Sequence, residues 1–269
     1  MNSKQMTVLC VGATGSIGRH VVEEALRRGH AVRALVRSRA KAAGLPAQVQ
    51  VVVGELTQAD ALDQAVEGVD AIVFTHGSNG DKVDNRVIDY GGVRNVLLAL
   101  RGRKVRIALM TAIGVTNRAG SYNRRTEAHD WKRRSERLLR ASGNAYTIVR
   151  PGWFDYNDAD QHRLVMLQGD RRHAGTSADG VIARSQIAQV LVASLTLDEA
   201  RNKTLELIAE NGPEPKDLAP LFAAVKADDT GAPDGVGDAA NMPPDQEPQE
   251  VRDDMLRLGN RQGSRFDPH

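Results

Sequence analysis

The chain has 269 residues, of which 41% are hydrophobic and 26% are charged, and its formal net charge is +2. A chain of this size can bury one sizeable core, which favours a single domain with a small appendage over two equal domains, and so small a net charge does not by itself indicate a nucleic-acid partner. Because no apolar stretch approaches the roughly 18 residues that span a bilayer and the start of the chain lacks a signal-peptide pattern, we expect a soluble, cytoplasmic protein without a membrane partner.

Short apolar runs rich in β-branched residues alternate with helix-length segments through the N-terminal half of the chain. The runs occupy residues 7–11, 31–36, 49–53, 71–75, 105–111 and 146–149. Nearly continuous apolar runs of this length are typical of parallel strands that are covered on both faces. The segments between them place apolar residues at helical spacing, as in 17–26 and 93–100. We therefore predict an α/β fold, a doubly wound parallel sheet of the Rossmann type.

The first predicted strand runs directly into the glycine-rich sequence GATGSIG at residues 12–18, and a predicted helix follows at once. Glycine permits a tight turn and the close approach of backbone to a pyrophosphate, while the helix N-terminus offers free N–H groups to the phosphates. A glycine-rich turn that binds nothing is the alternative, but the flanking strand and helix favour a dinucleotide site. The predicted cofactor contacts here are Gly12, Thr14, Gly15, Ser16, Ile17 and Gly18.

The only cysteine, Cys10, lies within the first apolar run. A lone cysteine forms no internal disulfide, and it forms no cysteine-based metal cluster without other ligands. We therefore expect Cys10 to be a core residue and predict no metal site.

The residue that follows the second predicted strand is Arg37, nineteen positions beyond Gly18. An NAD-specific site places a carboxylate there to bind the ribose 2′-hydroxyl, whereas an arginine suits the 2′-phosphate of NADP. The neighbouring Arg33, Arg39 and Lys41 leave a generally basic surface loop as the alternative. We predict NADP(H) as the cofactor in preference to NAD(H).

The ends of the third and fourth predicted strands supply further cofactor contacts. In doubly wound sheets, ligands bind at the carboxyl ends of the strands, near the point where the strand order reverses. The segment Gly54-Glu55-Leu56 is therefore predicted to contact the adenine, and Thr75-His76-Gly77 is predicted to border the nicotinamide ribose.

These elements, together with YTIVRPG at residues 146–152, resemble the atypical branch of the short-chain dehydrogenase/reductase superfamily. That branch includes NmrA-like proteins, biliverdin reductase B-like flavin reductases and isoflavone reductase-like enzymes. The resemblance covers roughly residues 6–195 and implies that Pro151 contacts the cofactor. It also implies a hydroxyl residue at a strand end, here Thr111, and a lysine that holds the nicotinamide ribose, here Lys132.

The chain departs from the standard family pattern at the catalytic tyrosine. In the YxxxK spacing the tyrosine stands four residues before the lysine, and here that residue is Ala128. Tyr122 does not replace it by spacing, since the residue four positions later is Thr126. His129 lies within one helical turn of Lys132 and could act as the acid, because its pKa suits proton transfer near neutrality; the alternative is a histidine on an exposed, charged helix. The predicted catalytic residues are Thr111, Lys132 and His129.

The residues after YTIVRPG predict an insertion that covers the site, followed by a C-terminal tail. We assign residues 1–212 to the Rossmann-type domain, with a substrate-covering insertion at about 152–182, and residues 213–269 to a C-terminal helix and an acidic, Pro/Gly-rich tail. Trp153, Phe154 and Tyr156 form an aromatic cluster after the strand end that meets the nicotinamide. The cluster is either a wall for a planar substrate or ordinary packing of the insertion on the sheet. A helix is predicted at 186–195 and a strand at 204–208.

Two segments carry an uneven share of the charge. Residues 118–140 are basic, and the two interpretations are a solvated helix face and an anion-binding wall over the site. Residues 228–254 are acidic and rich in Pro and Gly, which is typical of a loosely structured tail, one that could pack on the partner subunit of a homodimer.

The leading hypothesis is an NADP(H)-dependent oxidoreductase that transfers hydride to a flavin, a quinone or another planar or anionic small molecule. Such acceptors can take a proton from water, so the missing tyrosine is tolerated. The alternative is a non-catalytic NADP-binding redox sensor, as the NmrA-like resemblance implies. A sugar-nucleotide epimerase is disfavoured because that chemistry needs a base at the sugar hydroxyl, and nucleic-acid binding ranks last because no recognition module accompanies the basic segment.

Overall fold

The computed structural model describes residues 5–78 and 80–260. Its strands are β1 Thr7–Val11, β2 Ala31–Val36, β3 Gln50–Val53, β4 Ala71–Phe74, β5 Arg106–Met110, β6 Ala145–Pro151, β7 Trp153–Phe154, β8 Arg163–Leu167, β9 Val181–Ile182 and β10 Lys203–Glu210. Its α-helices are α1 Gly18–Arg27, α2 Ala59–Val66, α3 Lys82–Asp84, α4 Gly91–Ala99, α5 Ser121–Thr126, α6 Ala128–Ala141, α7 Arg184–Ala193, α8 Ala219–Ala224 and α9 Gln249–Asn260.

A π-helical stretch, Asn85–Tyr90, joins α3 to α4. None of the helices in the described part of the chain combines the length and the apolar character that crossing a bilayer requires. The end of the predicted tail, residues 261–269, lies outside the described residues.

The strands form one sheet in the order β3-β2-β1-β4-β5-β6-β10-β9-β7, and β8 also pairs with β10. From β3 to β10 the pairs are parallel, and the strand order reverses between β1 and β4. At the far edge, β8 and β9 run antiparallel to β10. This arrangement confirms the predicted doubly wound sheet, and it puts the carboxyl ends of β1 and β4 at the switch point where such folds bind ligands.

Helices cover both faces of the sheet, and the alternating residues of each central strand feed two separate cores. Cys10 lies in the cluster that packs β1 against α1 and α7, and Leu9 lies in the cluster that packs it against the other face. Both side chains are almost completely inaccessible to water. Burial raises the pKa of the Cys10 thiol to about 12, which confirms its role as a core residue.

The insertion at 152–182 extends the sheet beyond β10. Its strand β8 pairs antiparallel with β10, with Met166 opposite Leu207, and β9 pairs with both β10 and β7. A Cβ on Gly152 would lie 2.5 Å from the carbonyl oxygen of Gly180, so the glycine lets the two ends of the insertion touch. The sequence pattern does not predict β8 and β9, because their pairing partner is remote along the chain.

The acidic segment and α9 form a C-terminal strap, residues 228–260, that lies on helix α6 of the same chain. Val251 and Leu258 of the strap are buried in the core cluster on that face of the sheet. The hydroxyl of Tyr90 donates to the Asp254 carboxylate at 2.9 Å. The expectation of a loosely structured tail is therefore wrong for residues 228–254: apolar side chains and ion pairs anchor them to their own chain.

Both interpretations of the basic segment are wrong for the arginines of α6. Arg133 and Arg137 are buried, and they share Asp234 of the strap at 2.9 and 2.7 Å. Arg134 and Arg137 likewise share Glu247, each at 2.7 Å. Although burial opposes it, hydrogen bonds from the two arginines hold the pKa of Asp234 below its ordinary value. These guanidinium groups are neither solvated nor free for a ligand anion, because the strap already supplies their anions.

Candidate functional site

The loop between β1 and α1 has the geometry of a phosphate cradle. Gly12 has a φ of +91°, and a Cβ there would lie 2.6 Å from the backbone nitrogen of His76, so only glycine lets the ends of β1 and β4 touch. The amide of Gly15 donates to the Gly12 carbonyl at 2.9 Å and closes the turn. Ile17, the N-cap residue of α1, makes no side-chain capping bond, and the Arg19 amide donates to the Gly15 carbonyl at 3.1 Å, so no side chain of the described residues blocks a ligand at the start of α1. The loop therefore fits a dinucleotide pyrophosphate.

The predicted contacts in this loop differ in what they can offer. Gly15 and Ser16 are exposed, and Thr14 is half-buried, so their backbone and hydroxyl groups are accessible. The side chain of Ile17 belongs to the core, so its contact is limited to the backbone. A Cβ on Gly18 would collide with the Gly12 carbonyl, which explains the last glycine of the motif as a packing requirement between strand and helix.

The end of β2 carries exposed positive charge close to the cradle. Arg37 is exposed and makes no hydrogen bond or ion pair with the described residues. Arg33, by contrast, is tied to the sheet edge: its guanidinium donates to Gln50 and to the Ala65 carbonyl, both at 2.9 Å. Arg19 extends from α1 toward the turn after β2, since a Cβ on Gly44 would lie 2.9 Å from its Nη1. Arg39 and Lys41 are exposed as well, and Arg19 Nε donates to the Thr14 carbonyl at 3.3 Å, so Arg37 is one of several cations available to a phosphate at this end.

Glu55 and Leu56 follow β3 beside the same edge. Glu55 is exposed, whereas Leu56 is half-buried and its carbonyl accepts a 2.7 Å hydrogen bond from Asn95. A Cβ on Gly92 would lie 2.9 Å from both Leu56 Cδ1 and His76 Nε2, so Leu56 and His76 lie against the same helix. We refer to the crevice outside the carboxyl ends of β1 and β4, where folds of this type bind ligands, as the cleft.

His76 and Thr75 at the end of β4 are held by their neighbours. The amide and hydroxyl of Thr75 both donate to the Val11 carbonyl, at 2.9 and 3.3 Å. His76 Nε2 lies 3.1 Å from the carbonyl of Ile88, which can only accept, so Nε2 carries the proton of the neutral ring. Its Nδ1 is buried and finds no partner within residues 5–78 and 80–260. Burial lowers the pKa of His76, although the Asp89 carboxylate opposes the shift.

Lys132 is placed in the cleft by an acidic residue that the sequence pattern did not indicate. Its ammonium lies 3.0 Å from the carboxylate of Asp89, which is only 3% exposed, while Lys132 is 22% exposed. The hydroxyl of Ser78 donates to the other Asp89 oxygen at 2.8 Å. A Cβ on Gly77 would lie 3.6 Å from Asp89, so this cluster borders the exposed end of β4. The sequence pattern carries no signal for Asp89, because its partners Lys132 and Ser78 lie on other elements.

Thr111 lies at the end of β5, where it was predicted, and its hydroxyl is already bonded inside the protein. It donates to Glu136 of α6 at 2.7 Å. Glu136 is fully buried and is paired with Arg150 at 2.6 Å. Pro151 is also buried, and its carbonyl accepts the amide of Ile113 at 3.1 Å. These contacts hold the ends of β5 and β6 in register beneath the cleft.

His129 is half-buried, so the alternative of an exposed histidine on a charged helix is wrong. Its Nδ1 is buried and has no hydrogen-bond partner among the described residues, and its ring lies 5.3 Å from the ring of Tyr122 on α5. Burial lowers the pKa of His129, although the Asp170 carboxylate opposes the shift. The Asp170 carboxylate is occupied by the amides of Gly114 and Thr116, each at 2.6 Å. A neutral imidazole with an unsatisfied nitrogen therefore lies one turn before Lys132 on α6.

The aromatic cluster after Pro151 is partly exposed. Trp153 and Tyr156 are 39% and 65% exposed, and their rings meet edge to face at 6.2 Å. Phe154 packs against the core cluster and lies under the guanidinium of Arg184, 5.3 Å away. Arg184 Nε in turn donates to Ser16 Oγ at 3.2 Å. Ordinary packing therefore accounts for Phe154 alone, and Arg184 ties the cluster to the phosphate cradle.

A glycine cradle at the switch point of a doubly wound sheet, with free cations at the end of the next strand, defines a dinucleotide-binding protein of the Rossmann class. A protein family described as NAD(P)H-binding matches residues 12–198. The chain therefore belongs to the NAD(P)H-binding family, in agreement with its resemblance to atypical short-chain dehydrogenases/reductases.

Similar proteins include two that are named as reductases. Sanguinarine reductase from Eschscholzia californica is 26% identical over 268 residues, covering 83% of this chain and 97% of that protein. A putative NAD-dependent epimerase/dehydratase from Bacillus halodurans superposes with a TM-score of 0.68 at 24% identity, covering 82% of this chain and 100% of that one. An anaerobilin reductase from Escherichia coli O157:H7 superposes with a TM-score of 0.60 at 24% identity, covering 78% and 99%. At such identities, the two structures establish the fold alone.

Proposed function

We propose that the protein is an NADPH-dependent reductase whose acceptor is a planar small molecule. The observation that carries the proposal is that α6 brings Lys132 to the cleft while Ala128, only 1% exposed, occupies the place of the family's tyrosine. Such a site can position a nicotinamide and an acceptor but offers no phenol at the family's position to protonate an alkoxide. When bound, NADPH would supply the hydride, and this geometry suits acceptors that take their proton from water or from a weaker acid.

The preference for NADPH over NADH rests on the free cations near the end of β2. Arg37 is exposed and without a partner among the described residues, and Arg19 extends across the same edge. A guanidinium binds a phosphate with two charge-assisted hydrogen bonds, whereas a ribose hydroxyl gains little from it. We therefore assign Arg37, assisted by Arg19, to the 2′-phosphate.

The other site residues have distinct roles in the proposed reaction. Lys132, oriented by Asp89, holds the nicotinamide ribose. Burial lowers the pKa of His129, so we assign its neutral ring, one turn before Lys132, to relaying a proton between water and the acceptor. The Thr111 hydroxyl already donates its proton to Glu136, so we assign Thr111 to positioning the ends of β5 and β6. Trp153 and Tyr156 offer exposed ring faces to a planar acceptor.

A second candidate, a non-catalytic NADP sensor, is favoured by one observation. The Thr111 hydroxyl, which orients substrate in standard members of the superfamily, is held by the buried Glu136–Arg150 pair. A protein in which both the tyrosine and this hydroxyl are lost to catalysis could bind the cofactor without turning it over. The two candidates share the cofactor and differ in turnover.

The test begins with a fluorescence titration of NADPH and NADH on the wild-type protein and on Arg37→Ala. We expect Arg37→Ala to weaken NADPH binding by roughly 10- to 100-fold, the equivalent of a lost charge-assisted contact, and to leave NADH binding unchanged. Arg101→Ala is the matched control, because Arg101 is an exposed arginine at the C-terminal end of α4 that pairs with Asp63. FMN and simple quinones are then added to the NADPH-saturated protein while the absorbance of the reduced nicotinamide is followed.

Acceptor-dependent oxidation of NADPH by the wild-type protein supports the reductase. Tight NADPH binding without oxidation by any acceptor favours the sensor. Failure to bind either nucleotide contradicts both candidates.

A further inference from the structure

Arg184 reaches the phosphate cradle from the opposite half of the fold. It is the first residue of α7, directly after the insertion at 152–182, and its Nε donates to Ser16 Oγ at 3.2 Å. Ser16 lies in the middle of the glycine loop and is exposed. Arg184 itself is 32% exposed, so its guanidinium stands between the loop and solvent. A cation beside uncapped amides of a helix N-terminus is the arrangement that a pyrophosphate requires.

The anion that Arg184 now holds comes from the insertion. Its guanidinium forms an ion pair with the Asp155 carboxylate, and its backbone amide donates to the same carboxylate at 3.0 Å. Asp155 is 48% exposed and has a φ of +56°, a backbone conformation that costs a non-glycine residue about 1 kcal/mol. A partly exposed ion pair contributes little stability, typically about 0–1 kcal/mol. The Asp155 carboxylate is therefore a weak partner for Arg184, and a pyrophosphate with two negative charges binds the guanidinium more strongly.

We infer that Arg184 binds the pyrophosphate of the dinucleotide and that Asp155 competes for it, so that cofactor binding releases Asp155 from the guanidinium. The inference rests on the proposed cofactor site. It links the cradle to the acceptor side, because Asp155 lies between Phe154, on which Arg184 stacks, and the exposed Tyr156. Cofactor in the cradle thus removes one of the contacts of the turn that carries the aromatic cluster, while the Arg184 amide still bonds Asp155, and we expect the cofactor to bind before the acceptor.

The experiment is a set of NADPH and NADH titrations on Arg184→Met, Asp155→Asn and the double variant. The pyrophosphate is common to both nucleotides, so Arg184→Met should weaken both by roughly 10-fold and leave their affinity ratio unchanged, in contrast to Arg37→Ala. Asp155→Asn removes the competing charge and should tighten both by about 3-fold. The double variant should bind like Arg184→Met, because Asp155 acts only through the guanidinium.

Inorganic pyrophosphate provides a second readout that needs no turnover. It should displace NADPH from the wild-type protein, and its own affinity should fall in Arg184→Met. Arg163→Met is the matched control, since Arg163 is an exposed arginine paired with Glu210 on the edge of the same half of the sheet. Thermal unfolding of each variant verifies that it is folded, and Arg184→Lys should recover part of the affinity.

The outcomes separate this inference from the proposed function. Wild-type binding that persists unchanged in Arg184→Met contradicts the role of Arg184 and leaves the cofactor site intact. If Asp155→Asn binds the nucleotides no more tightly than the wild type does, Asp155 does not compete with the pyrophosphate for Arg184. A wild-type protein that binds neither nucleotide contradicts the proposed function itself.

Discussion

The cofactor cleft and the interface between α6 and the strap are both rich in charge, but they use it in opposite ways. At the interface, the guanidinium groups of Arg133 and Arg137 are buried and paired with strap carboxylates. In the cleft, Arg37 is exposed without a partner among the described residues, and His76 and His129 each keep a buried Nδ1 unsatisfied. The difference teaches that charge density along a sequence does not by itself locate a ligand site, because the tertiary structure decides which charges are already paired.

The physical reason lies in what each region needs for stability. A buried charge is tolerated when a partner and hydrogen bonds replace its water, and removing one partner leaves the other charge uncompensated. An exposed charge without a partner contributes little to stability, so it stays available for a ligand. Mutations should therefore affect folding at the interface and binding in the cleft.

The largest effect on stability is expected from Arg137→Met. The substitution leaves Asp234 and Glu247 with one arginine each instead of two, and we expect it to lower the free energy of unfolding by about 3–5 kcal/mol. Urea denaturation measures the change, with the exposed Arg163→Met as a control that should cost at most about 1 kcal/mol. The folded variant should bind NADPH like the wild type. A loss as small as the control's would remove the distinction between the two regions.

A smaller, pH-dependent effect is expected at Glu206, beneath the strap. Burial raises the pKa of this carboxyl from 4.5 to about 7, against the attraction of Arg150. Because the folded state holds the proton more tightly than the unfolded state, stability should fall as the pH rises from about 4.5 to about 7, by about 3 kcal/mol for this group. Glu206→Gln should flatten that decline, as measured by urea denaturation at pH 5 and pH 8. An unchanged slope would show that Glu206 is not the group responsible.

The smallest effect on stability is expected from Lys132→Met, in the cleft. The substitution leaves the buried Asp89 carboxylate bonded to the amide and hydroxyl of Ser78 but without a cation among its described neighbours, so we expect it to lower the free energy of unfolding by about 1–3 kcal/mol. If the protein is the proposed reductase, the same substitution should slow acceptor-dependent NADPH oxidation by about 100-fold or more, because it misplaces the nicotinamide ribose. Steady-state kinetics with FMN measures this. Turnover like that of the wild type would contradict the proposed role of Lys132 in holding the nicotinamide ribose.

Much of the fold could be predicted because its information is local. The strands β1 and β2 begin and end where the apolar runs do, since a strand buried on both faces needs continuous apolar residues. The glycine loop was recognisable because the positive φ of Gly12 and the close approach of Gly18 to Gly12 are local requirements of a strand–turn–helix unit. Strands β8 and β9, the Lys132–Asp89 pair and the Arg184–Ser16 contact could not be predicted, because each joins elements that are distant along the chain.

The sequence by itself determined the alternation of strands and helices, the glycine loop with Arg37 after the second strand, and the presence of Ala128 four residues before Lys132. Only the tertiary structure decided which charges remain available. Helix α6 and the acidic strap each look like a solvated or ligand-binding segment when considered alone. Together they satisfy one another, because ion pairing depends on distances between side chains that no local pattern encodes. The same dependence on distance leaves Arg37 free and brings Arg184 to the cradle.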